Sequence, residues 1–465
     1  MAESHISSYT KGIRKWQATD KNTTVRDQLL TQIYTDATEL AQKVVSRTEP
    51  RPVDWDQRID DVLTSPVWGF PTMLLLLGIV FWITVVGANA PSQILATILF
   101  AIEDYLTLAF QLLRAPDWLH GFFILGVYRG LAWVVSVMLP PMAIFFPLFT
   151  LLEDLGYLPR VAFNLDRVFR SVGAHGKQAL TMAMGFGCNA AGVVSARIIE
   201  SPRERLIAVL TNNFVPCNGR FPILITMASL LPVAIVGSSQ TTLFAAGSIL
   251  AAVVIGFLVT LAVSWGLSRT LLRGVPSRFT LELPPYRKPQ PGRIIVRSLL
   301  DRILSILYRA VVIAAPAGGI TWILANVTVG EASILTHGAT ALDTFGRLLG
   351  LDGMILVAFI LGLPANEIVM PIMLMGYLAK GAMLEIEGLG TLKVILIDQQ
   401  GWTWLTAMNM MLFTLLHYPC ATTLLTVYNE TKSARWTAIS ALLPLAVAIL
   451  VTFTTTFVVR SLGGI

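Results

Sequence analysis

The sequence carries few charges for its length. Only 13% of its 465 residues are Asp, Glu, Lys or Arg, and 54% are hydrophobic. Soluble domains carry about 25% charged residues. This composition excludes an ordinary soluble domain and predicts that most of the chain lies in lipid. The net charge of +6 is attributed to loop arginines that orient membrane helices, so no nucleic-acid partner is expected.

Cysteine and histidine are also scarce. Three cysteines in so long a chain exclude a disulfide framework. No histidine stands near Cys188 or Cys217 in sequence, which argues against a nucleophilic cysteine activated by a neighbouring base. The sequence therefore predicts a protein that is not an enzyme.

Two further signatures are missing. The first twenty residues lack the apolar core of a secretory signal peptide. A GxxxxGK[ST] phosphate loop is absent as well, and the nearest string, Gly173 to Lys177, has the wrong spacing. Nucleotide binding is therefore not expected of this chain.

Long apolar runs predict an all-α polytopic membrane protein with about eight transmembrane segments. Residues 1–66 are expected to form a cytoplasmic or interfacial amphipathic segment, and residues 92–113, with Glu103 and Asp104, an interfacial or partly buried one. The predicted spans are 69–88, 122–152, 206–232, 241–268, 310–327, 354–378, 403–428 and 436–459.

Loop charges orient the predicted spans. The loop at 269–309 is rich in arginine and is expected on the cytoplasmic side, whereas 233–240 has no Lys or Arg and is expected outside. With 179–199 taken as re-entrant, this places the N-terminus in the cytoplasm. The two membrane halves are then 67–268 and 310–465, and the side of the C-terminus stays open.

Helix-breaking residues surround two of the cysteines. Gly185 and Gly187 precede Cys188, and Pro216 precedes Cys217. Inside a bilayer, unwound backbone is tolerated only where protein or a water-filled cavity surrounds it, and transporters use such breaks to bind ions. Thiolate sulfur suits late transition metals. The pattern therefore predicts a transition-metal site within a membrane pathway.

The second half repeats these breaks. The run 184–189 aligns with 361–366, and 215–217 aligns with 418–420; Glu367 stands beside the first of these second-half breaks. An intramembrane carboxylate must face a cavity, a partner or an ion. The predicted metal ligands are Cys188, Cys217, Glu367, Cys420 and Asn189. The predicted pathway or gate residues are Gly185, Gly187, Asn218, Arg220, Asn366, Pro364 and Pro419.

Each of these residues also has a structural interpretation. The cysteines are alternatively small core residues. Asn189 is a ligand or a helix cap, and capping is favoured for Asn218. Glu367 is alternatively paired with Arg220 or Arg197. His417 is expected to be a hydrogen-bonded structural residue.

Several longer runs resemble the membrane domain of FeoB-type ferrous iron transporters. They are GYLPRVAFNLDRVFRSVGAHGK at 156–177, GFGCNAAGV at 185–193, ARIIESPRERL at 196–206, PCNGRFP at 216–222, LELPPYR at 281–287 and YPC at 418–420. The resemblance implies a bacterial inner-membrane importer with two repeats, Gate 1 (179–232) and Gate 2 (354–428). It implies Fe²⁺ as the transported ion and no tightly bound cofactor.

The chain departs from that family's pattern in places. Ala190-Ala191 stands where the family reads Val-Pro, Asn366 where it reads Lys, and Asn218-Gly219 where it reads Ser-Ala. The family's N-terminal guanine-nucleotide-binding domain is not seen before the membrane region. A separate soluble G protein or small regulatory protein is therefore expected to dock through residues 1–66. Besides membrane lipid, a homo-oligomeric partner stays open.

Three alternative functions stay open from the sequence. The same fold could carry Mn²⁺ or Zn²⁺, or export its metal. A Gate-type protein could instead move nucleosides or another organic solute, with the cysteines as packing residues. The last alternative is a membrane scaffold that transports nothing and recruits a partner through residues 1–66.

Overall fold

The computed structural model describes residues 23–44, 55–65, 67–235, 241–274, 304–379, 381–383 and 389–463, with Tyr286, Gln290 and Gly292 from the basic loop. The predictions for residues 1–22 and for most of 269–309 lie outside the described residues. The described chain is helical apart from a small antiparallel hairpin of β1 (Thr328–Val329) and β2 (Ala332–Ser333).

Two units make up the chain, residues 1–58 and residues 59–465. In the first, α1 (Thr23–Val44) forms the helix expected from its spacing, and its apolar residues Ile33, Leu40 and Val44 are exposed. The helix α2 (Trp55–Leu63) runs across the boundary into the second unit.

Sixteen further helices in the described residues follow in order. The first half contains α3 (Gly69–Leu112), α4 (Asp117–Asp154, π-helical at Gly121–Tyr128), α5 (Tyr157–Ser171), α6 (Gln178–Gly187), α7 (Asn189–Ser195), α8 (Pro202–Thr211), α9 (Phe221–Ile235) and α10 (Thr241–Arg269). The second half contains α11 (Leu304–Asn326), α12 (Ile334–Leu348), α13 (Gly353–Leu361), α14 (Val369–Tyr377), α15 (Leu389–Lys393), α16 (Trp404–Leu416), α17 (Ala421–Thr431) and α18 (Ala434–Ser461). Short 3₁₀ turns lie at Ala196–Ile198, Asn212–Phe214, Asn218–Arg220 and Asn366–Ile368, and a π turn at Val394–Gln399.

Membrane-length helices confirm the predicted fold class. Within the described ranges, five are long and apolar enough to cross a bilayer, and a sixth arises if α12 and α13, bent by 112°, count as one span. The five are Gly69–Leu112, Asp117–Asp154, Gly247–Arg269, Trp404–Thr431 and Ala434–Ser461. Other predicted spans, such as 206–232 and 354–378, consist of short helices separated by extended residues, so they fall outside this length criterion.

The predicted boundary near residue 90 is wrong. A single helix, α3, runs for 44 residues through Pro91, which is about 66 Å at 1.5 Å per residue and exceeds the bilayer core. Its charge at Glu103 is tolerated because Nε of Arg129 on α4 donates to Oε1 of Glu103 at 2.9 Å. The Arg129 guanidinium also donates to the Met383 carbonyl. Because Arg129 pairs with Glu103, helix α3 can continue through this charged position.

Backbone conformation supports the internal repeat. Cys188, between α6 and α7, is extended at φ −157° and ψ 126°, and Ala365, which aligns with it, has φ −151° and ψ 122°. At the second pair of breaks, Cys217 (φ −84°, ψ 168°) and Cys420 (φ −61°, ψ 159°) are both extended and both precede a helical turn. Each of the two breaks in the first half therefore has a counterpart with similar backbone angles in the second half.

A buried ion pair ties α2 to α5 and to the basic loop. The Arg160 side chain is 2% exposed, and its Nε and Nη2 donate to the two Asp60 carboxylate oxygens at 2.9 and 3.1 Å. Tyr286 lies with its ring 4.1 Å from the guanidinium and donates its hydroxyl to Asp60 at 2.6 Å. Partial burial alone would raise the pKa of Asp60, but hydrogen bonds from Arg160 and Tyr286 hold it below its ordinary value.

We expect Asp60→Asn to lower the free energy of unfolding by about 3 kcal/mol, because it leaves a buried guanidinium without its counter-charge. The effect should be present above about pH 4 and should disappear as the pH falls through the lowered pKa of Asp60. Thermal melting in detergent at pH 7 and pH 3 measures it. The exposed neighbour Asp61 supplies the control, Asp61→Asn; equal melting temperatures for the two variants at pH 7 would contradict the assignment.

Candidate functional site

At the first break of Gate 1, a thiol and an amide oxygen are buried inside the protein. Cys188 is 6% and Asn189 3% exposed. Nδ2 of Asn189 donates to Oδ1 of Asn213 at 3.3 Å, whereas Oδ1 of Asn189 is buried and has no hydrogen-bond partner among the described residues. No side chain caps the N-terminus of α7. The cap interpretation of Asn189 is therefore not seen here, and its role as a ligand stays a prediction.

Glycines allow the close packing around this break. A Cβ on Gly185 would lie 2.9 Å from Oδ1 of Asn212, and a Cβ on Gly187 would lie 2.4 Å from the Phe145 ring. Asn212 uses this space to donate from Nδ2 to the Asn189 carbonyl at 3.1 Å. The predicted pathway glycines therefore have a packing role beside Cys188.

The second break of Gate 1 carries Cys217, which is 9% exposed and extended. The 3₁₀ turn Asn218–Arg220 begins directly after it. The capping favoured for Asn218 is not seen there, because this turn has no side-chain cap hydrogen bond. Asn218 instead lies within the turn as its first residue.

Glu367 in Gate 2 lies against the second break of Gate 1. A Cβ on Gly219 would stand 2.2 Å from Oε1 of Glu367, so only the absence of a side chain at residue 219 lets the carboxyl group lie there. The Glu367 side chain is 8% exposed. Its backbone carbonyl accepts a hydrogen bond from Nε1 of Trp133 on α4 at 3.3 Å. The predicted Gate 2 carboxylate thus reaches the residues that follow Cys217.

The two breaks of Gate 2 are joined to each other. After Pro419 and Cys420, the Ala421 N–H donates to the carbonyl of Leu363, which precedes Pro364, at 2.8 Å. The Cys420 sulfur lies 3.3 Å from Oγ1 of Thr423. This links the chain at Pro364 to the start of α17.

His417 is a structural residue, as predicted. Its Nδ1 lies 3.0 and 2.9 Å from the carbonyl oxygens of Phe413 and Thr414, and its Nε2 lies 3.3 Å from Oδ1 of Asn366. The ring is 1% exposed and lies parallel to that of Phe413. Both ring nitrogens are therefore engaged, and Asn366 is held by the histidine.

Four ionisable side chains lie on the elements where the Gates meet. We call Cys188, Cys217, Glu367 and Cys420 the gate seam. Cys188 precedes α7, Cys420 precedes α17, Cys217 precedes the turn Asn218–Arg220, and Glu367 lies in the turn Asn366–Ile368. The turns Asn218–Arg220 and Asn366–Ile368 are in contact, and α7 packs on α17. Even so, no three His, Cys, Asp or Glu side chains in the described parts of the chain form a group that could hold a metal ion.

Arg220 braces both Gates through backbone oxygens. It is fully buried and donates five hydrogen bonds. Nη1 binds the carbonyls of Asn213 (2.7 Å) and Leu415 (2.8 Å); Nη2 binds Oδ1 of Asn213 and the carbonyls of His417 and Tyr418 at 3.0–3.1 Å. The last carbonyls of α16 have no partner within their own helix, and a cation there is favoured by the helix dipole.

The alternative pairing of Glu367 with an arginine is wrong for both candidates. Arg220 donates to the oxygens just described, and Arg197 forms a two-point ion pair with Glu430, with Nε–Oε2 and Nη2–Oε1 distances of 2.8 and 2.6 Å. None of the ion pairs found among the described residues includes Glu367. Its carboxyl group therefore stays available beside Gly219.

Sequence reasoning missed Asn212, Asn213 and Trp133. Nδ2 of Asn213 donates to the His417 carbonyl at 2.6 Å, so this residue links the Gates just as Arg220 does. The adjacent asparagines stand in a mostly apolar run, and the second of them is three residues before Pro216. A polar pair in that position was the signal that could have found them. Trp133 offered no comparable signal.

We expect Arg220→Gln to lower the free energy of unfolding by more than about 3 kcal/mol, because several buried carbonyls lose their donor. Arg205→Gln is the matched control, since Arg205 donates from Nε to one carbonyl, that of Ile199, at 2.9 Å, and should cost about 1 kcal/mol. Melting in detergent compares the two. A smaller loss for Arg220→Gln than for Arg205→Gln would refute the bracing role.

Comparison with known families agrees with this architecture. A Gate family model, described as nucleoside recognition, matches residues 135–231 and again 307–434. A second model, described as the C terminus of ferrous iron transport protein B, matches residues 249–301. The Gate matches begin earlier than the predicted limits of 179–232 and 354–428, so that they include the C-terminal part of α4 and most of α11. No solved structure matches the chain.

Curated relatives align with most of the chain. The Fe(2+) transporter FeoB of Staphylococcus aureus is 28% identical over 422 residues, which cover 89% of this chain and 60% of that protein. FeoB of Synechocystis sp. is 27% identical over 417 residues, covering 88% and 64%. FeoB of Salmonella typhimurium is 28% identical over 258 residues, covering 55% and 32%. This chain thus spans less than two thirds of the length of these relatives. The FeoB C-terminal match lies between the two Gate matches, so along most of its length the chain is similar to FeoB-type transporters.

Proposed function

We propose that this chain carries Fe²⁺ across a bacterial inner membrane along the gate seam, with the N-terminus on the cytoplasmic side. The observation that carries the proposal is the placement of the Glu367 carboxyl group against Gly219, two residues after Cys217. The carboxylate of one half thus lies against the turn that follows the thiol of the other half. The relatives' names supply the ion.

The separation of the seam residues fits transit better than storage. An ion that leaves as well as enters must be bound at several weak sites. In the proposed path, Fe²⁺ keeps part of its water and exchanges the rest in turn for thiolate sulfur, the free Oδ1 of Asn189 and the Glu367 carboxylate. Thiolate ligands favour Fe²⁺ and Zn²⁺ over Mg²⁺. Mn²⁺ and Zn²⁺ are therefore the competing cargoes to test.

The membrane potential supplies a driving force for import. Two positive charges moving inward across about 100 mV gain about 4.6 kcal/mol. That suffices for uptake down the potential without nucleotide hydrolysis in the membrane region. We propose that a soluble G protein or a small regulatory protein, docked through residues 1–66, controls opening rather than driving the ion.

We expect Cys188→Ser and Glu367→Gln to lower Fe²⁺ uptake into proteoliposomes by about tenfold or more, since even groups one shell removed from a metal alter its binding that much. Glu331→Gln, in the exposed turn between β1 and β2, is the control and should leave uptake unchanged. Competition by Mn²⁺ and Zn²⁺ is measured in the same vesicles. Unaltered iron uptake in both seam variants would remove the basis of the proposal.

Gly219→Ala tests the contact between the Gates without removing any ligand. Its Cβ would displace the Glu367 carboxyl group, and we expect iron uptake to fall by about tenfold, as for a misplaced ligand. Gly247→Ala is the control, because a Cβ on Gly247 meets nothing within 4 Å. Equal uptake by the two alanine variants would show that the carboxyl position does not matter.

The description of the Gate family as nucleoside recognition favours a second candidate, transport of a nucleoside or a similar organic solute. In that case the cysteines act as packing residues. Radiolabelled nucleoside flux in the same proteoliposomes separates the two candidates. Saturable nucleoside flux together with iron uptake no greater than in empty vesicles would replace the metal pathway by this second function.

A further inference from the structure

A cavity of about 310 Å³ is lined by residues of α3, α4, α5, α6 and α10 together with residues 215–216 of Gate 1. We call it the Gate 1 cavity; its wall includes Leu74, Tyr157, Ala183, Phe186, Pro216 and Val254. Tyr157 is the exception among the described lining residues, all others having apolar side chains. A water molecule needs two to four polar partners to be held. The chemistry of the wall therefore calls for an apolar occupant.

The cavity opens toward lipid. Leu74 on α3 and Val254 on α10 both line it, and they are 56% and 44% exposed. Both helices are of membrane-spanning length. A lateral opening between two spans faces acyl chains and not water, so the surrounding bilayer itself supplies an occupant of the right chemistry.

Tyr157 adds a polar requirement at one end. It is 8% exposed, and its hydroxyl has no hydrogen-bond partner among the described residues. Burial raises the pKa of Tyr157 to about 12, so the hydroxyl keeps its proton and acts as a donor. A buried donor without an acceptor is costly. Tyr157 begins α5, just after α4 ends at Asp154, which is the depth at which tyrosines meet the interface of a bilayer.

We propose that the Gate 1 cavity holds one acyl chain of a membrane phospholipid, whose ester carbonyl accepts the hydrogen bond from Tyr157. The ester group joins the polar and apolar parts of a phospholipid at the depth of the interface. An acyl chain running inward from it fills the apolar wall. One lipid thus satisfies the orphan hydroxyl and the cavity together.

The occupant would contact the back of the metal path proposed above. Phe186 and Pro216 line the cavity, and they lie two residues before Cys188 and one residue before Cys217. Phe145 also lines it, and its ring lies where a Cβ on Gly187 would be. A bound chain would therefore support the walls of both Gate 1 breaks. The binding itself does not depend on which solute is transported.

The test uses full-length protein in liposomes that contain phosphatidylcholine with a photoreactive diazirine in one acyl chain. After irradiation, mass spectrometry locates the adducts. We expect adducts within residues 179–186 and 215–216, which line the cavity. Ala183→Trp should lower this labelling by about tenfold, because its side chain takes up the volume that the lipid needs. Leu450→Trp is the control and should leave the labelling unchanged, because Leu450 on α18 is 65% exposed and does not line the cavity.

Tyr157→Phe keeps the cavity shape and tests the hydrogen bond. In wild type, an ester-linked probe should label the cavity about fivefold more than the ether-linked analogue, which lacks the carbonyl, as expected for one hydrogen bond. The variant should label equally with both. The comparison of the two probes still tests the proposal if Ala183→Trp does not fold.

Three outcomes would overturn the proposal. The first is equal cavity labelling of wild type and a folded Ala183→Trp. The second is no ester preference in wild type. The third is labelling by a photoreactive free fatty acid but not by the phospholipid probe, which would assign the cavity to a fatty acid. None of these readouts uses iron uptake, so failure here is distinct from failure of the transport function.

Discussion

The architecture depends on one buried cation, Arg220, which has no carboxylate partner in the part of the chain that the structure describes. Arg220 follows Cys217 in Gate 1 and binds carbonyl oxygens at the end of α16 in Gate 2. Broken helices leave such carbonyls without partners, and in lipid each one carries a cost of several kcal/mol. The two terminal nitrogens of a single guanidinium meet that need for both Gates at once. Arg220 therefore stabilises the helix breaks by donating hydrogen bonds to carbonyl groups that have no partner within a helix.

The same cation sets the electrostatics of the proposed path. A fixed positive charge beside the gate seam opposes a dication unless negative groups outweigh it. The hydrogen bonds of Arg220 engage carbonyl oxygens, so its charge is spread over neutral dipoles, and Glu367 is left without an ion pair among the described residues. In the proposed pathway this leaves the charge of Glu367 unopposed by an arginine. An Arg220–Glu367 salt bridge would instead cancel that charge.

The sequence was sufficient for features that depend on local chemistry. Glycines or a proline directly before a cysteine within an apolar run indicate a break, so the breaks at Cys188, Cys217 and Cys420 could be read directly, and the repeat followed from their order. Features that depend on distant partners could not be read. The unbroken course of α3 past residue 90 could not be predicted, because the pairing of Glu103 with Arg129 on another helix is not visible in the sequence. The contact of Gly219 with Glu367 could not be predicted either, because it arises only when the two Gates pack.

The contacts of Asn366 show the physical effect of one difference between this chain and the family that it resembles. Where the resembling family reads lysine, this chain has an amide beside His417, and that histidine's carbonyl already accepts from Arg220. An ammonium group in this position would place a second cation near Arg220 and beside the proposed path. The asparagine removes that charge while keeping a hydrogen-bonding group against the histidine. On the proposed function, the substitution leaves the negative charge of Glu367 less opposed by neighbouring cations, which favours the attraction of a dication.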